Sequence, residues 1–191
     1  MKLQMKCSAF IATSADGYIA TPEGGVDWLH NSGNQDADMS ESPDMGFNDF
    51  ISSVDCMIMG RKCMETLGGF NLSPEQWPYG NRKVYALSHS VKVAPENLRD
   101  KVEMYSGDIL ALVNRLDREG YKSAYIDGGA TITSFLNLQL INEIIITKAP
   151  VILGGGIPLF GETSHPIKLK GASTRAFPND YIQVKYTVNY G

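Results

Sequence analysis

The sequence contains few cysteines and no long apolar segment. Its three cysteines, among 191 residues, cannot all pair, and they form neither a CxxC motif nor a Cys/His array with zinc-ligand spacing. We therefore expect free thiols in a reducing compartment, which favours a cytoplasmic location. No segment approaches the roughly 20 apolar residues that span a bilayer, and Ser14 and Asp16 interrupt the amino-terminal segment too early for a signal peptide. Neither secretion nor membrane insertion is expected.

The chain also lacks an excess of positive charge. Seventeen Lys and Arg face 21 Asp and Glu, which gives a net charge of −4 at pH 7. Nucleic-acid-binding domains present a basic patch or stripe, so no nucleic-acid partner is expected. The length suits a single compact domain that spans residues 1–191, and a small molecule is the expected partner.

Several catalytic and nucleotide-binding motifs are missing. The sequence has no GxSxG nucleophile motif, no HExxH motif and no zinc-deaminase pattern, and its three histidines are scattered, so no metal site is expected. Neither GxGxxG nor GxxxxGK[ST] occurs. The glycine run at 154–156 matches no phosphate-binding spacing, and we expect it to form a sharp loop.

The apolar residues alternate between strand and helix periods along the chain. Strands are predicted at 5–12, 56–59, 83–87, 102–105, 124–126 and 144–147, and helices after Pro43, at 61–67, after Asp108 and at 130–138. The runs 168–175 and 180–188 indicate a terminal hairpin. Strands that alternate with helices predict an α/β fold of three layers, α/β/α, with a mainly parallel central sheet and an antiparallel carboxyl-terminal hairpin.

Two strand ends carry residues suited to anion binding. At Gly60-Arg61-Lys62 two cations follow a strand, where a helix N-terminus attracts anions and where cations are unfavourable unless an anion binds. At Asp127-Gly128-Gly129 the two glycines, which lead directly into a helix, permit close approach of a pyrophosphate. Each feature has an equally acceptable explanation without a ligand, namely solvated cations and a tight strand-to-helix turn.

Three acidic residues between the first strand and the first helix are candidate proton donors. Asp16, Asp27 and Asp44 also have structural explanations, as a turn residue before glycine, a loop charge and a helix N-cap, respectively. A proton donor near pH 7 needs a pKa raised by burial or by a neighbouring charge. We keep Asp16 and Asp44 as the catalytic candidates.

The order of six segments resembles a known family. SADGYIA, Asp27-Trp28-Leu29, IMGRKCMETL, ALSHS, YIDGGATI and INEIIITKAPVILGGGIPLFGE resemble the family that joins dihydrofolate reductase to the reductase domain of riboflavin biosynthesis. The resemblance covers residues 5–162 and implies the dihydrofolate reductase-like fold. It implies NADPH as cofactor, bound along the carboxyl edge of the sheet. One departure is Cys63, where the family often has threonine.

The resemblance also assigns residues to the cofactor and the substrate. It implies that the nicotinamide lies between Ala12 and Ile19, and that phosphate groups bind at Gly60, Arg61 and Lys62. It further implies that the adenosine 2′-phosphate binds at Leu87, Ser88 and His89, and that the pyrophosphate binds at Gly128, Gly129, Ala130 and Thr131. The implied substrate residues are Trp28, Phe47, Asp127 and Thr147, with Thr147 supporting the carboxylate of Asp44.

These observations predict an NADPH-dependent reductase that transfers hydride to a heterocyclic or sugar-linked small molecule, resembling 5-amino-6-(5-phosphoribosylamino)uracil reductase and dihydrofolate reductase. An NADP(H)-binding sensor without turnover is the alternative, because the arginines that hold a ribose phosphate in the riboflavin enzymes are missing here, with only Arg82 nearby. Since two-fold dimers are the commonest oligomers, a homodimer is expected.

Overall fold

The computed structural model describes residues 2–191, and an eight-stranded sheet organises the chain. The sheet strands are β1 (Lys6–Thr13), β3 (Cys56–Gly60), β4 (Lys83–Leu87), β5 (Val102–Tyr105), β6 (Ser123–Asp127), β7 (Ile141–Lys148), β9 (Lys168–Ala176) and β10 (Ile182–Asn189), and two short strands, β2 (Tyr18–Ala20) and β8 (Ile157–Pro158), form a separate ladder. The helices are α1 (Trp28–Asn31), α2 (Phe47–Ser52), α3 (Arg61–Gly69), α4 (Ile109–Arg118) and α5 (Gly129–Asn137).

The order across the sheet is β5-β4-β3-β6-β1-β7-β10-β9. The first six of these strands are mutually parallel, whereas β10 runs antiparallel to both β7 and β9. The predicted mainly parallel sheet with an antiparallel terminal hairpin is confirmed. In a parallel arrangement the carboxyl ends of β5, β4, β3, β6, β1 and β7 lie along one edge, which we call the carboxyl edge.

Helices cover both faces of the sheet, because the buried strands are apolar on each side. On one face, Leu112 and Leu116 of α4 and Phe135 of α5 pack against Ile58 and Ile126. The opposite face is covered by α2 and α3, through residues that include Phe50, Ile51, Met64 and Leu67. The three-layer α/β/α arrangement follows directly from this division of the core into two clusters.

Helix α4 begins and ends as its sequence predicts. The Asp108 carboxylate accepts a hydrogen bond from the Ala111 N–H at 2.8 Å, which caps the first turn. Gly120 has a φ of +99° and follows the last turn, in the left-handed region that glycine occupies without strain.

The sequence prediction missed the ladder between β2 and β8 and the single turn α1. Both lie in segments predicted to be loops, and the two strands are too short for a visible two-residue period. Gly156 beside β8 has a φ of +150°, and a Cβ there would collide with the Ala20 carbonyl oxygen. The glycine run is therefore a sharp turn, as predicted, that also presses against the chain near β2.

Within residues 2–191, no helix is long and apolar enough to cross a membrane. The same part of the chain contains no group of three or more His, Cys, Asp or Glu that could hold a metal ion.

Candidate active site

A cleft of about 260 Å³ opens at the carboxyl edge, beside the ends of β3, β4 and β5 and the start of α5. We call it the edge cleft. Seven of the twelve residues that the sequence assigned to a cofactor line it. They are Gly60, Arg61, Leu87, Ser88, His89, Ala130 and Thr131.

Two helix N-termini meet beside the edge cleft, because β3 and β6 are neighbours in the sheet and each leads directly into a helix. A Cβ on Gly60 would lie 2.7 Å from the Thr131 hydroxyl, so the start of α3 touches the start of α5. Neither helix has a side-chain cap. The first N–H groups of a helix lack partners within it, and together with the dipole they favour an anion.

Gly128 at the turn into α5 must be glycine. Its φ of +98° is in the region that disfavours side chains, and a Cβ would lie 2.9 Å from the Cys63 sulfur. Gly129 is also buried, and a Cβ there would lie 2.7 Å from the Leu159 carbonyl oxygen. A side chain at Gly129 would thus disturb the packing of α5 against the end of β8, so Ala130, which is exposed in the edge cleft, is the better position for a binding test.

The two cations of the first α3 turn occupy different surroundings. Arg61 lines the edge cleft, where its guanidinium lies 3.5 Å from the Glu65 carboxylate with both side chains nearly half exposed. Lys62 is exposed and does not line the cleft. An exposed i,i+4 ion pair is worth only a few tenths of a kcal/mol, so an incoming anion can draw Arg61 away from Glu65.

The turn after β4 supplies hydroxyl and imidazole groups to the edge cleft. The Ser88 hydroxyl oxygen accepts from the Val91 N–H at 2.9 Å and from the Ser90 N–H at 3.3 Å. These bonds fix the hydroxyl oxygen, and the Ser90 hydroxyl lies 3.5 Å from it as a further donor or acceptor. His89 is exposed beside it.

Sequence reasoning missed four residues of the edge cleft: Tyr105, Gly107, Ile109 and Ser134. Tyr105 ends β5, Gly107 follows it and Ile109 begins α4, and both elements were predicted. These residues line the edge cleft because β5 lies next to β4, which only the strand order shows. Ser134 lies one turn into α5. Its spacing of four residues from Ala130 on a predicted helix is the feature of the sequence that places the two residues on the same side of α5.

The remaining predicted cofactor residues lie farther along the carboxyl edge. Ala12 is half-buried at the end of β1, and Ile19 is half-buried on β2. The Ile19 side chain lies 3.1 Å from the position of a Cβ on Gly129, so β2 reaches the start of α5. Neither residue lines the edge cleft.

Asp127 ends β6 and is the acidic residue whose pKa is most suited to proton transfer. Burial raises the pKa of Asp127 to about 6, against a smaller lowering effect of the Gly128 N–H. The neighbouring Cys63 thiol has a pKa raised to about 12 by burial and by the charge of Asp127. Cys63 is therefore protonated at neutral pH and adds no second charge.

Phe47 belongs to an aromatic group on the same face of the sheet as Asp127. Its ring lies 5.7 Å from that of Phe10 and 6.4 Å from that of Tyr125, both at steep angles. The Tyr125 hydroxyl donates to the Phe10 carbonyl oxygen at 2.8 Å. Phe47 is half-buried, at the start of α2.

Asp16 has a structural role that replaces its predicted role as proton donor. Its carboxylate accepts from the Ser14 hydroxyl at 2.6 Å and from the N–H groups of Leu153 and Gly154 at 3.1 and 2.8 Å. These donors, with the Ser14 hydroxyl first, hold the pKa of Asp16 below its usual value. A proton donor near pH 7 needs the opposite shift.

The resemblance predicted that Thr147 supports the carboxylate of Asp44, but the hydrogen bonds of the two side chains go to other partners. The Asp44 carboxylate accepts from the N–H groups of Gly46 and Asn48, so it caps the start of α2. Helix α2 begins after Gly46, two residues beyond the predicted N-cap. The hydroxyl of the buried Thr147 instead accepts from Gln183 at 2.9 Å, and the same amide nitrogen donates to the Met45 carbonyl oxygen. Sequence reasoning missed Gln183 because it lies on the last strand.

Trp28 lies in a small core instead of lining an open site. It is 8% exposed and packs with Ala149, Phe177 and Tyr181. Its indole N–H donates to the Gly25 carbonyl oxygen at 3.2 Å. Trp28 therefore holds the segment after β2 against the ends of β7 and β10. Asp27, beside it, is exposed and makes no side-chain cap for α1.

Arg82 lies at the wrong edge of the sheet to hold a substrate phosphate at this site. It immediately precedes β4, at the amino end of that strand, whereas the edge cleft lies at the carboxyl end. Its guanidinium donates to the Val54 carbonyl oxygen at 3.2 Å.

The fold is of the dihydrofolate reductase-like class. Dihydrofolate reductase from Enterococcus faecalis, solved with NADP(H), superposes with a TM-score of 0.63 at 15% identity, and the match covers 99% of both chains. The family model of the RibD C-terminal domain matches residues 6–183, and the chain belongs to this family.

Closer relatives cover nearly the whole chain. The uncharacterized protein YyaP of Bacillus subtilis is 33% identical over 185 residues, which are 94% of this chain and 93% of YyaP. A crystal structure from Shewanella sp. PV-4, provisionally assigned to riboflavin biosynthesis, is 35% identical with a TM-score of 0.86 and covers 97% of this chain and 99% of that one. These matches confirm the predicted resemblance.

Proposed function

We propose that this protein is an NADPH-dependent reductase that transfers hydride to a C=N or C=O group of a small heterocyclic or sugar-linked molecule. Its family membership supports a reductase-type function. The observation that carries the cofactor assignment is the edge cleft, where two uncapped helix N-termini, Arg61 and the Ser88-His89 turn meet. These groups are suited to a ligand with several phosphates.

The residues present fit NADPH. The first N–H groups of α5 would bind the pyrophosphate, and Arg61 would contribute the charge that the helix dipole alone does not supply. Ser88 and His89 would bind the 2′-phosphate, which favours NADPH over NADH. Tyr105 and Ile109 add apolar surface at the end of the cleft for the adenine. When bound, NADPH supplies the hydride, and the chain supplies orientation and charge.

Asp127 is the proposed proton donor. Hydride addition to C=N or C=O leaves the neighbouring nitrogen or oxygen in need of a proton. A carboxyl group with a pKa of about 6 keeps a useful protonated fraction near neutral pH, and Asp127 lies at the carboxyl edge between the edge cleft and the aromatic group. Asp16 and Asp44 hold the loops on either side and are positioning residues.

A two-stage experiment tests the proposal. NADPH and NADH are first titrated into the protein and the heat of binding is recorded; we expect NADPH to bind at least tenfold more tightly. A panel of pterins and amino-pyrimidines is then added, and the near-ultraviolet absorbance of NADPH is followed. Oxidation by at least one compound supports the reductase. Failure to bind NADPH would refute the cofactor assignment.

The same experiment evaluates the alternative of an NADP(H)-binding sensor. A sensor would bind NADPH with comparable affinity but would not oxidise it with any compound of the panel. The raised pKa of Asp127 favours the reductase, because a protein that only binds the cofactor has no need of a carboxyl group poised near neutral pH.

A further inference from the structure

Arg115, in the second half of α4, lies between two tyrosine rings. The central carbon of its guanidinium group is 5.6 Å from the centre of the Tyr85 ring and 5.8 Å from the centre of the Tyr105 ring. A cation within about 6 Å of a ring centre is attracted to the face of that ring. Tyr105 lines the edge cleft, whereas Arg115 does not. Arg115 therefore contacts a wall of the edge cleft from outside it.

Carboxylates from two elements hold the Arg115 guanidinium in this place. Its nitrogens lie 3.8 Å from the Glu103 carboxylate on β5 and 3.6 Å from the Glu119 carboxylate at the end of α4. Glu103 also pairs with the Lys83 ammonium at 3.1 Å. These side chains are each more than a third exposed, so the ion pairs contribute little stability. Because they come from the sheet and from the helix end, they restrict where the guanidinium can lie.

Tyr105 is held at both of its ends as well as on its ring. Its carbonyl oxygen accepts from the Ser88 N–H at 3.0 Å, and its hydroxyl donates to the Asp108 carbonyl oxygen at 2.8 Å. A Cβ on Gly107 would lie 2.9 Å from the Tyr105 hydroxyl oxygen, so the turn into α4 passes close beside the tip of the ring. With Arg115 against the ring, Tyr105 has one defined orientation in the wall of the edge cleft.

A fixed aromatic ring favours the binding of a flat base. Purine bases stack on the faces of aromatic side chains. A side chain that is mobile before binding must be immobilised by the ligand, at a cost equivalent to about two- to tenfold in affinity. The contacts of Tyr105 with Asp108 and Arg115 meet this cost during folding, so the ring is ready for a base when the ligand arrives.

We propose that Arg115 is a positioning residue for the cofactor: it holds the Tyr105 ring in the orientation on which the purine ring of NADPH stacks. This inference rests on the proposed function and adds to it a residue outside the edge cleft. Because Arg115 acts through Tyr105, its removal should weaken every ligand that carries the purine. The same removal should have no effect once the Tyr105 ring is absent.

Calorimetric titration measures the effect on binding. NADPH and adenosine 2′,5′-bisphosphate, which carries the purine without the nicotinamide, are titrated into wild type, Arg115→Met and Arg118→Met. We expect Arg115→Met, which keeps an unbranched side chain, to bind both ligands about fivefold more weakly. Arg118→Met makes the same charge change at an exposed position of α4, and its affinities should stay within twofold of wild type. Equal affinities of wild type and Arg115→Met would overturn the inference.

A double-mutant cycle shows whether Arg115 acts through Tyr105. Tyr105→Leu should weaken both ligands about tenfold, because it removes the stacking surface. Adding Arg115→Met to Tyr105→Leu should weaken binding by less than about 1.5-fold more, since residues that act as a unit are not additive. A further fivefold loss would mean that Arg115 acts through its charge or through the stability of α4, and the inference would fail.

Ring-labelled tyrosine provides a measurement that depends on neither binding nor turnover. The NMR signal of Tyr105 is the one absent from the spectrum of Tyr105→Leu. We expect carbon relaxation in the ligand-free protein to show a more mobile Tyr105 ring in Arg115→Met and an unchanged ring in Arg118→Met. An equally rigid ring in Arg115→Met would contradict the inference. If wild type bound neither NADPH nor the bisphosphate, the proposed function itself would fall, a result distinct from equal binding by wild type and Arg115→Met.

Discussion

The two halves of the carboxyl edge are built in different ways. The edge cleft consists of residues that immediately follow β3, β4, β5 and β6, so each part comes from a strand end and the turn or helix after it. In the other half, around the ends of β7 and β9, which we call the distal half, residues 42–45 contact residues 175–183, which lie more than 130 positions away. Local sequence describes the first half well and the second hardly at all.

The difference also has an energetic side. A βα turn is positioned by the sheet beneath it, so the edge cleft is formed whenever the sheet is formed. The distal half depends on loop contacts such as those of Asp16 and Gln183, whose loss opens a segment without unfolding the core. Substitutions should therefore affect cofactor binding and substrate turnover separately. Five predictions examine that separation, the largest expected effect first.

Asp127→Asn should lower kcat about 100-fold, since general acid catalysis contributes on the order of 10²–10⁴. The Kd for NADPH should change less than twofold. Wild-type kcat should fall as the pH rises through about 6, the pKa of Asp127, and the variant should lack this dependence. Steady-state kinetics from pH 5 to 8 provide the measurement. A variant with full activity would exclude Asp127 as the donor.

The same variant should change the pH dependence of stability. Because the pKa of Asp127 is higher in the folded state, the folded state holds the proton more tightly, and stability falls as the pH rises from about 4 to about 6. The free energy of unfolding should fall by at most about 3 kcal/mol over this range, because the pKa of Asp127 lies about two units above its ordinary value. Urea unfolding of wild type and Asp127→Asn across this range should show a difference that levels off above pH 6.

Ala130→Asp should weaken NADPH binding more than 30-fold without destabilising the protein. The new carboxylate in the edge cleft would repel the phosphates of NADPH. A negative charge in the first turn of α5 interacts favourably with the helix dipole, so the folded protein should not lose stability. Calorimetric titration and thermal melting measure the two effects. Ser134→Ala, one turn later in the same cleft, is the matched control and should change the affinity less than threefold.

Arg61→Ala should weaken NADPH binding about tenfold, whereas Lys62→Ala should weaken it less than threefold. Arg61 lines the edge cleft and Lys62 does not. Exposed substitutions of this kind usually change stability by under about 0.5 kcal/mol, so both variants should fold normally. Titration at two salt concentrations should show the larger salt dependence for the contact with Arg61. Equal effects of the two substitutions would contradict the proposed geometry.

Asp16→Asn should loosen residues 151–156 with little effect on NADPH affinity. The lowered pKa of Asp16 means that its contribution to stability is present above the unfolded-state pKa and is lost as the pH falls through the folded-state value. Hydrogen exchange at the Leu153 and Gly154 amides should accelerate in the variant near pH 7. No acceleration would contradict the structural role of Asp16.

One sequence expectation, the homodimer, stays a prediction. All nine residues of the edge strand β9 are exposed, and Leu169 and Ile182 of the hairpin are 40% and 48% exposed. An unpaired edge strand can pair with a second copy. Light scattering across a concentration series measures the mass in solution.

The elements and the residues at the strand ends could be predicted, because apolar period and glycine position act locally. Arg61 was found in this way, whereas Ser88 and Ala130 were assigned by the family resemblance. The capping role of Asp44 was one of the alternatives that the sequence offered, because its hydrogen bonds come from Gly46 and Asn48 nearby in the chain. The role of Asp16 was not found, since the N–H groups of Leu153 and Gly154 that its carboxylate binds lie far away in the sequence. Tyr105 was missed for a related reason, because strand adjacency is not encoded in chain order.

By itself the sequence determined the alternation of strands and helices and the position of the glycine-containing turns at the ends of β3 and β6. Tertiary structure alone decided which strand ends are neighbours, that Asp127 is the carboxyl group with a raised pKa, and that Arg82 lies on the opposite edge. The reason is physical: periodicity depends on neighbours a few residues away, whereas desolvation and charge pairing depend on whatever packs around a group in three dimensions.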